Sequence, residues 1–311
     1  MTEPAPAPEF DLGPAERENA ETLIALALAE DLGDLGDLTG EATIPADAIG
    51  SARFVSRQDG VLAGLPVVAL LAARFGLVDG FEPVLRDGDP IRPGAVIARI
   101  SGPMRPILAM ERTALNFLQR LSGVASLTAR FVSAVSGTGA TILDTRKTTP
   151  GWRLLEKYAV RCGGGRNHRV GLYDAILIKD NHLAWLAPSG DPIGRAVAAA
   201  RRVAPVGTVV EVEVDSLDQL DRALTCRPDV VLLDNFPPDR LVEAVRRRDE
   251  AAPGVLLESS GGITLDTVAE VARTGVDRIS VGALTHSAPA LDIALDEDAP
   301  GDGPPDPRRL G

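Results

Sequence analysis

From residue 139 onward the chain repeats one pattern, a short apolar and largely β-branched run followed by a stretch of helical spacing. The runs fall at 141–143, 175–178, 209–214, 230–233, 255–257 and 278–281, and most of the gaps hold helical patterns, at 194–203, 217–224, 240–248 and 267–274. Strands with so few polar side chains must be covered on both faces, as parallel strands wrapped by helices are. A doubly wound sheet and a barrel both meet that requirement, and the polar residues decide between them. The runs end in Asp144-Thr-Arg146-Lys147, Lys179-Asp-Asn-His182, Asp234-Asn235, Glu258-Ser-Ser260-Gly261-Gly262 and Gly282, while the third carries Glu211 and Glu213. Charged residues or glycines at the end of every strand suit a barrel, whose βα loops converge on one rim. A doubly wound sheet would gather them at its switch point. A barrel is expected.

Upstream the rhythm differs. Residues 14–30 read as a helix with Pro14 in its first turn. Strand-like runs at 52–56, 81–85 and 96–100 flank a helix near 66–75, with turn signals such as Arg86-Asp-Gly-Asp-Pro90 between them. Residues 106–136 read as two consecutive helices broken at Ser122-Gly123. The expected organisation is a disordered tail over 1–13, an α/β sandwich over 14–112 and a barrel catalytic domain over 113–284. A C-terminal helix over 285–297 returns to the sandwich, and a second disordered tail covers 298–311. The Pro- and Gly-rich ends cannot bury enough apolar surface to offset the entropy of ordering.

Composition narrows the function. A net charge of −12 argues against binding nucleic acid or an anionic membrane. No apolar run approaches the ~18–20 residues of a membrane span, and Met1–Phe10 has neither a positive n-region nor an apolar h-region. Two cysteines, Cys162 and Cys226, make no disulfide framework. A soluble, cytoplasmic protein is expected. Of 32 basic residues only three are lysine: Lys147, Lys157 and Lys179. In a chain that otherwise uses arginine, a retained lysine points to a position needing a compact ammonium.

The rim has two chemical halves. Between Asp144 and His182 eight basic residues face four acidic ones, a +4 segment inside an acidic chain. Arg146, Lys147, Arg161, Arg166, His168, Arg169 and Lys179 supply the positive side, which suits a small polyanion. Opposite them stand Glu213 and Asp234 on neighbouring strands, hard oxygen donors of the kind that share Mg²⁺ with a substrate's phosphates. Ser260-Gly261-Gly262 and Gly282 offer backbone N–H groups that a phosphate can approach closely. Singly, each feature has a plainer reading. Arg146-Lys147 alone suits a solvated charge pair, Gly163-Gly-Gly165 a turn, and Asp31, Asp34 and Asp37 a helix end. His182 and His286 suit local hydrogen bonding. Only one of Glu211 and Glu213, which share a strand face, need be functional. The agreement of six strand ends carries the functional reading.

Those residues bear a resemblance. Glu111-Arg-Thr-Ala-Leu-Asn-Phe-Leu-Gln-Arg-Leu-Ser-Gly123, Leu143-Asp-Thr-Arg-Lys-Thr-Thr-Pro-Gly151, Gly163-Gly-Gly-Arg-Asn-His-Arg169 and Ile178-Lys-Asp-Asn-His182 resemble the quinolinate phosphoribosyltransferase family. Glu211-Val-Glu-Val214, Leu232-Leu-Asp-Asn-Phe236, Glu258-Ser-Ser-Gly-Gly262 and Val281-Gly-Ala-Leu-Thr-His286 continue the likeness in order, over about residues 20 to 296. The resemblance implies an N-terminal open-faced α/β sandwich and an incomplete α/β barrel with fewer than eight strands. It also implies a homodimer in which the sandwich of one subunit covers the barrel mouth of the other.

The implied reaction joins quinolinate to phosphoribosyl pyrophosphate, releasing pyrophosphate and carbon dioxide and leaving nicotinate mononucleotide, with Mg²⁺ and no organic cofactor. By the same resemblance Arg146, His168 and Arg169 hold the quinolinate carboxylates, with Arg112 reaching across from the partner subunit. Lys147 and Lys179 contact substrate anions near the transferred ribose. Glu213 and Asp234 hold the ribose hydroxyls and the metal, and Lys147, Lys179, Glu213 and Asp234 form the catalytic set. Ser260, Gly261 and Gly282 take the 5′-phosphate. Three rivals remain at this stage: a Schiff-base barrel lyase using Lys179, a paralogous enzyme of molybdenum-transport loci with another acceptor, and a non-catalytic phosphate-binding module.

Overall fold

The computed structural model describes residues 11–297; the expected tails at 1–10 and 298–311 lie outside the described residues. In chain order the elements begin with α1 (Pro14–Leu32), α2 (Leu38–Thr43), β1 (Ile49–Ser56), β2 (Gly60–Val61), α3 (Leu65–Arg74), β3 (Phe81–Pro83), β4 (Pro90–Ile91), β5 (Val96–Pro103) and α4 (Met104–Ala134). There follow β6 (Thr141–Leu143), α5 (Arg153–Cys162), β7 (Ile176–Ile178), α6 (Asp180–Leu186), α7 (Pro192–Val203), β8 (Val210–Val214), α8 (Leu217–Cys226), β9 (Val230–Asp234) and α9 (Pro238–Ala251). The last are β10 (Leu256–Ser260), α10 (Val268–Arg273), β11 (Arg278–Ser280), α11 (Ala283–His286) and β12 (Ile293–Glu297).

The chain divides into two compact units. One comprises the residues up to Leu127, Pro150–Gly163 and the segment from Ala288 onward; the other comprises Thr128–Thr149 and Gly164–Ser287. The boundary therefore falls later than 112/113, and the stretch carrying α5, between two barrel strands in sequence, belongs to the first unit.

In the first unit an antiparallel sheet of order β12-β1-β5-β3 carries α3 against β3, and α1 packs on both α3 and α5. Its core centres on Phe54, Leu71, Ile97, Ile100 and Leu118, all essentially without solvent contact. The sequence sets the helix starts. Pro14 occupies the first turn of α1, and Glu16 accepts a hydrogen bond from the Gly13 N–H at 2.8 Å. Asp87 takes the Gly64 and Leu65 N–H groups that open α3, at 2.6 and 3.1 Å, and the Tyr158 hydroxyl at 2.7 Å. Asp37 caps α2 through the Gly40 N–H, so the acidic triplet ends in a helix start.

Three expectations change here. Residues 104–134 form one helix, not two broken at Ser122-Gly123. Ser122 Oγ accepts the Ala63 N–H at 3.0 Å, and a Cβ on Gly123 would lie 2.0 Å from the Pro289 carbonyl oxygen. The pair is a packing notch, with small residues admitting another backbone, and the helix runs through it. The segment 285–297 leaves the end of α11 and returns as a strand, β12, instead of a helix. Pro289 interrupts helical continuation, and β12 pairs antiparallel with β1, setting Leu295 opposite Phe54. Finally, 11–13 are ordered: Leu12 is buried and Gly13 leads into α1.

The second unit is a six-stranded parallel sheet of order β6-β11-β10-β9-β8-β7, fewer strands than a complete barrel. The β6 edge is extended by a parallel bridge between Leu143 and Arg166. All six strands lie at the expected runs. In β8 the valines at 210, 212 and 214 are buried on one face, while Glu211 and Glu213 share the other. Helix starts again follow sequence, as Ser216 and Asp191 accept the N–H groups of Gln219 and Gly194.

Substituting Gly123→Ala should lower unfolding stability by about 1–3 kcal/mol through overpacking. Gly139→Ala, which meets nothing within 4 Å, should leave it unchanged; urea denaturation of the two variants checks this.

Candidate active site

The strand register builds one face of polar side chains. Leu177 pairs with Glu211, and Glu213 pairs with Leu232, which in turn pairs with Glu258. Two residues on, Lys179, Asp234 and Ser260 reach the strand ends. These ends and the loops beyond them enclose a cavity of about 590 Å³, within the size range of small-molecule sites. Arg146, Lys147, His168, Arg169 and Lys179 line it on the basic side. Glu213, Asp234, Ser260 and Gly261 line it as well, together with Gly262.

The basic wall is held from behind by buried carboxylates. Asp144, wholly buried at the end of β6, accepts the His168 N–H at 2.8 Å and the Asn167 amide at 2.7 Å. Arg166 N–H donates to the Ile142 carbonyl at 2.9 Å, so the 163–169 turn is laced to the β6 edge. His168 has both ring nitrogens engaged by protein groups: Nδ1 accepts the Arg169 N–H at 2.7 Å, and Nε2 lies 3.0 Å from Glu211 and 3.5 Å from Glu258. His168 thus fixes the Arg169 backbone while lining the same cavity. Burial, then the neighbouring Arg146, lowers the Arg169 pKa from its ordinary value, opposed by Glu211 and Asp174. Two guanidinium groups that repel each other are a site short of anionic charge.

At the ends of β7 to β9, Lys179 donates to Glu213 at 2.5 Å, and Asn235 donates its amide to Asp234 at 2.8 Å. That lysine is ion-paired and nearly half exposed, not the desolvated amine that the Schiff-base reading requires. Asn235 is one of two non-glycine residues with positive φ among those described, at 56°, and its N–H donates to the Ser260 carbonyl. Beside it Gly261 has φ +100°, and a Cβ there would sit 2.1 Å from Asn235 Oδ1. The bare backbone at this rim is a steric requirement. Gly282 lies just outside the cavity lining, where a Cβ would come within 3.1 Å of Lys147 Cδ and His286 Nε2.

Glu213 and Asp234 also border a second cavity, with Asp180 and Asp215. The one group of three or more metal-type ligands among the described residues lies elsewhere, at His168, Glu211 and Glu258. Arg112 is exposed on α4 and is absent from the cavity lining. Of the three lysines, two line the cavity and Lys157 is buried in α5 of the other unit. Asp144, Asn235, Glu258 and Ser280 were not assigned roles from sequence. Their signal was the same strand-end position that marked their neighbours.

A parallel barrel-type sheet with a basic wall, an acidic wall and a glycine rim at one mouth defines an enzyme acting on phosphorylated, anionic substrates. Residues 124–296 match the family described as Quinolinate phosphoribosyl transferase, C-terminal domain, and residues 37–122 match its N-terminal domain. The chain is 48% identical over 287 residues to the nicotinate-nucleotide pyrophosphorylase [carboxylating] of Mycobacterium leprae, covering 92% of this chain and 99% of the relative. It is 42% identical to the probable enzyme of that name from Bacillus subtilis, covering 86% and 89%. Among solved structures, the nicotinate-nucleotide pyrophosphorylase from Francisella tularensis superposes with a TM-score of 0.83 at 37% identity, covering 94% and 100%. The chain belongs to the quinolinate phosphoribosyltransferase family, and is a phosphoribosyltransferase of de novo NAD biosynthesis. These relatives do not favour the molybdenum-locus paralogue or the non-catalytic module.

Gly261→Ala should cost about 1–3 kcal/mol of stability, since it strains both the backbone and the Asn235 contact. Chemical denaturation reads the loss.

Proposed function

We propose that this cavity binds quinolinate against Arg146 and Arg169 and the phosphoribosyl group against Lys147, Lys179, Glu213, Asp234 and the 260–262 rim. The observation that carries the assignment is that two guanidinium groups and two strand-end carboxylates line one cavity. Quinolinate is a planar dianion, and guanidinium forks match carboxylates bidentately. The pyridine nitrogen lone pair attacks the ribosyl C1, whose bond to the pyrophosphate oxygen breaks with that electron pair leaving on pyrophosphate. The ring carboxylate then departs as carbon dioxide. The electron pair it leaves is stabilised by the adjacent cationic nitrogen and takes up a proton, giving nicotinate mononucleotide. No organic cofactor is needed. Lys147 and Lys179 offset substrate anionic charge, and Glu213 and Asp234 orient the ribose hydroxyls. Holding two anions in attack geometry contributes roughly 7–11 kcal/mol of effective molarity. Ser260, Gly261 and Gly282 receive the 5′-phosphate through N–H groups no side chain obstructs.

Mg²⁺ fits the donor set. Glu213 and Asp234 are two carboxylates on paired strands that border both cavities, and among the described residues they belong to no cluster of three metal-type ligands. That suits a cation completing its shell with substrate phosphates and water. When bound, Mg²⁺ supplies charge compensation to the departing pyrophosphate.

The working form is a cytoplasmic homodimer in which the partner's copy of Arg112 joins the quinolinate site. Arg112 is exposed, and Tyr173 and Trp185, both more than four-fifths exposed, are large apolar surfaces of the kind a second subunit covers. Both cysteines are unpaired, which fits a reducing compartment. No described helix is long and apolar enough to cross a membrane.

The reading is tested with purified protein, quinolinate, phosphoribosyl pyrophosphate and Mg²⁺, following nicotinate mononucleotide by chromatography. Product should form from quinolinate and not from nicotinic acid. Arg169→Ala should weaken quinolinate binding roughly 10–100-fold, the worth of a charged hydrogen bond, while changing phosphoribosyl pyrophosphate binding little in calorimetry. Mixed Arg112→Ala and Arg169→Ala subunits should regain activity after exchange; none regained in confirmed heterodimers would remove the shared site. Asp234→Asn should raise the Mg²⁺ concentration needed for half-maximal rate.

A further inference from the structure

The lining of the same cavity includes a carboxyl that the proposed reaction does not use, Glu258. Glu258 is wholly buried on β10, and both of its carboxyl oxygens lack a full hydrogen-bond partner; Glu211 Oε1 is in the same position. Oxygens of the two carboxyls and His168 Nε2 converge within 4.8 Å of one another. Two buried carboxylates that close cannot both ionise without compensation. Three things could compensate them: a protonated imidazole, a metal ion or a proton on one carboxyl.

The hydrogen bonds of His168 distinguish these. Its Nδ1 accepts the Arg169 N–H at 2.7 Å, so Nδ1 carries no proton and the ring is not an imidazolium. A neutral ring then has its hydrogen on Nε2, aimed at Glu211, and a protonated Nε2 cannot ligate a metal. The proton on a carboxyl remains. Of the pair, Glu211 takes the shorter contact with Nε2–H, at 3.0 Å against 3.5 Å for Glu258.

We propose that Glu258 is a positioning residue that stands as a neutral carboxylic acid behind His168, keeping negative charge away from the Arg146–Arg169 wall and so setting how tightly the site holds a dicarboxylate. The groups facing it are Glu211 on β8, His168 on the 163–169 turn, and Ser280 and Arg278 on β11. Burial first, then Glu211, raises its pKa to about 7, with the Ser280 hydrogen bond and the charge of Arg278 opposing. A group raised above its ordinary value is protonated below that value and loses its proton as pH climbs through it. The inference rests on the quinolinate reading for its ligand, though not for the protonation itself.

The test has two arms on the intact protein. Infrared difference spectra should show a protonated-carboxyl C=O band at pH 6 that fades by pH 8.5 and is missing from Glu258→Gln. A band that persists in Glu258→Gln, or no band at all, overturns the proposal, as does a stoichiometric divalent metal in the metal-free-purified protein lost on Glu258→Gln. Calorimetry should show quinolinate affinity falling roughly five- to tenfold between pH 6 and 8.5, as for a bound dianion that raises the acid's pKa by about one unit. Glu258→Gln, the isostere of the neutral acid, should flatten that profile, and Ser280→Ala should move its midpoint upward by removing a group that lowers the pKa. Identical profiles in all three proteins refute the positioning role. Absence of quinolinate binding at every pH refutes the acceptor assignment and that role together, while the infrared band still reports where the proton resides.

Discussion

The site depends on charge buried where water cannot compensate it. Asp144, at the end of β6, and Glu211, on β8, are almost or wholly without solvent contact. Their partners come from one turn, whose backbone and side chains Asp144 and Glu211 hold at Asn167 and His168. That turn places Arg169 in the cavity wall. An unpaired carboxylate at any of these depths would cost several kcal/mol, so the turn is bound to the sheet as firmly as the carboxylates need satisfying. Pre-organisation of the anion site follows: the guanidinium groups meet their ligand without having to be gathered first.

The incomplete sheet makes this possible. A closed eight-stranded barrel fills its interior with layers of side chains. Here six strands leave an edge at β6, and residues 163–166 run beside it through the Leu143–Arg166 bridge. A glycine-rich turn can follow that edge closely, and it inserts His168 and Arg169 where further strands would have stood.

How much of this was legible in the sequence depended on whether the signal was local. The six strand runs were, because each is apolar on both faces and ends in a polar residue, and the structure has all six at those positions. Nine of the eleven substrate-binding residues named from sequence line one cavity, seven of them on strands or strand ends and two, His168 and Arg169, on the turn beside β6. What sequence misread was tertiary. Ser122-Gly123 looks like a helix break until Ala63 and Pro289 are seen to occupy the notch. Residues 285–297 favour a strand because β1 offers an unpaired edge, which no spacing within 285–297 reveals. The charge state of Glu258 depends on Glu211, a residue two strands away whose pairing through β9 is a matter of register.

The two kinds of cation in the site divide the work as their shapes require. Arg146 and Arg169 are forks set beside each other, suited to two carboxylates fixed on a flat ring. Lys179 is a point charge on a flexible stem, nearly half exposed, held by a single short contact to Glu213. An ammonium so placed can keep Glu213 compensated while the cavity is empty and turn its other N–H groups toward an arriving anion, something a planar guanidinium anchored by two bonds could not do without breaking one. A chain that uses arginine nearly everywhere keeps lysine at 147 and 179, where charge must be offered from more than one direction.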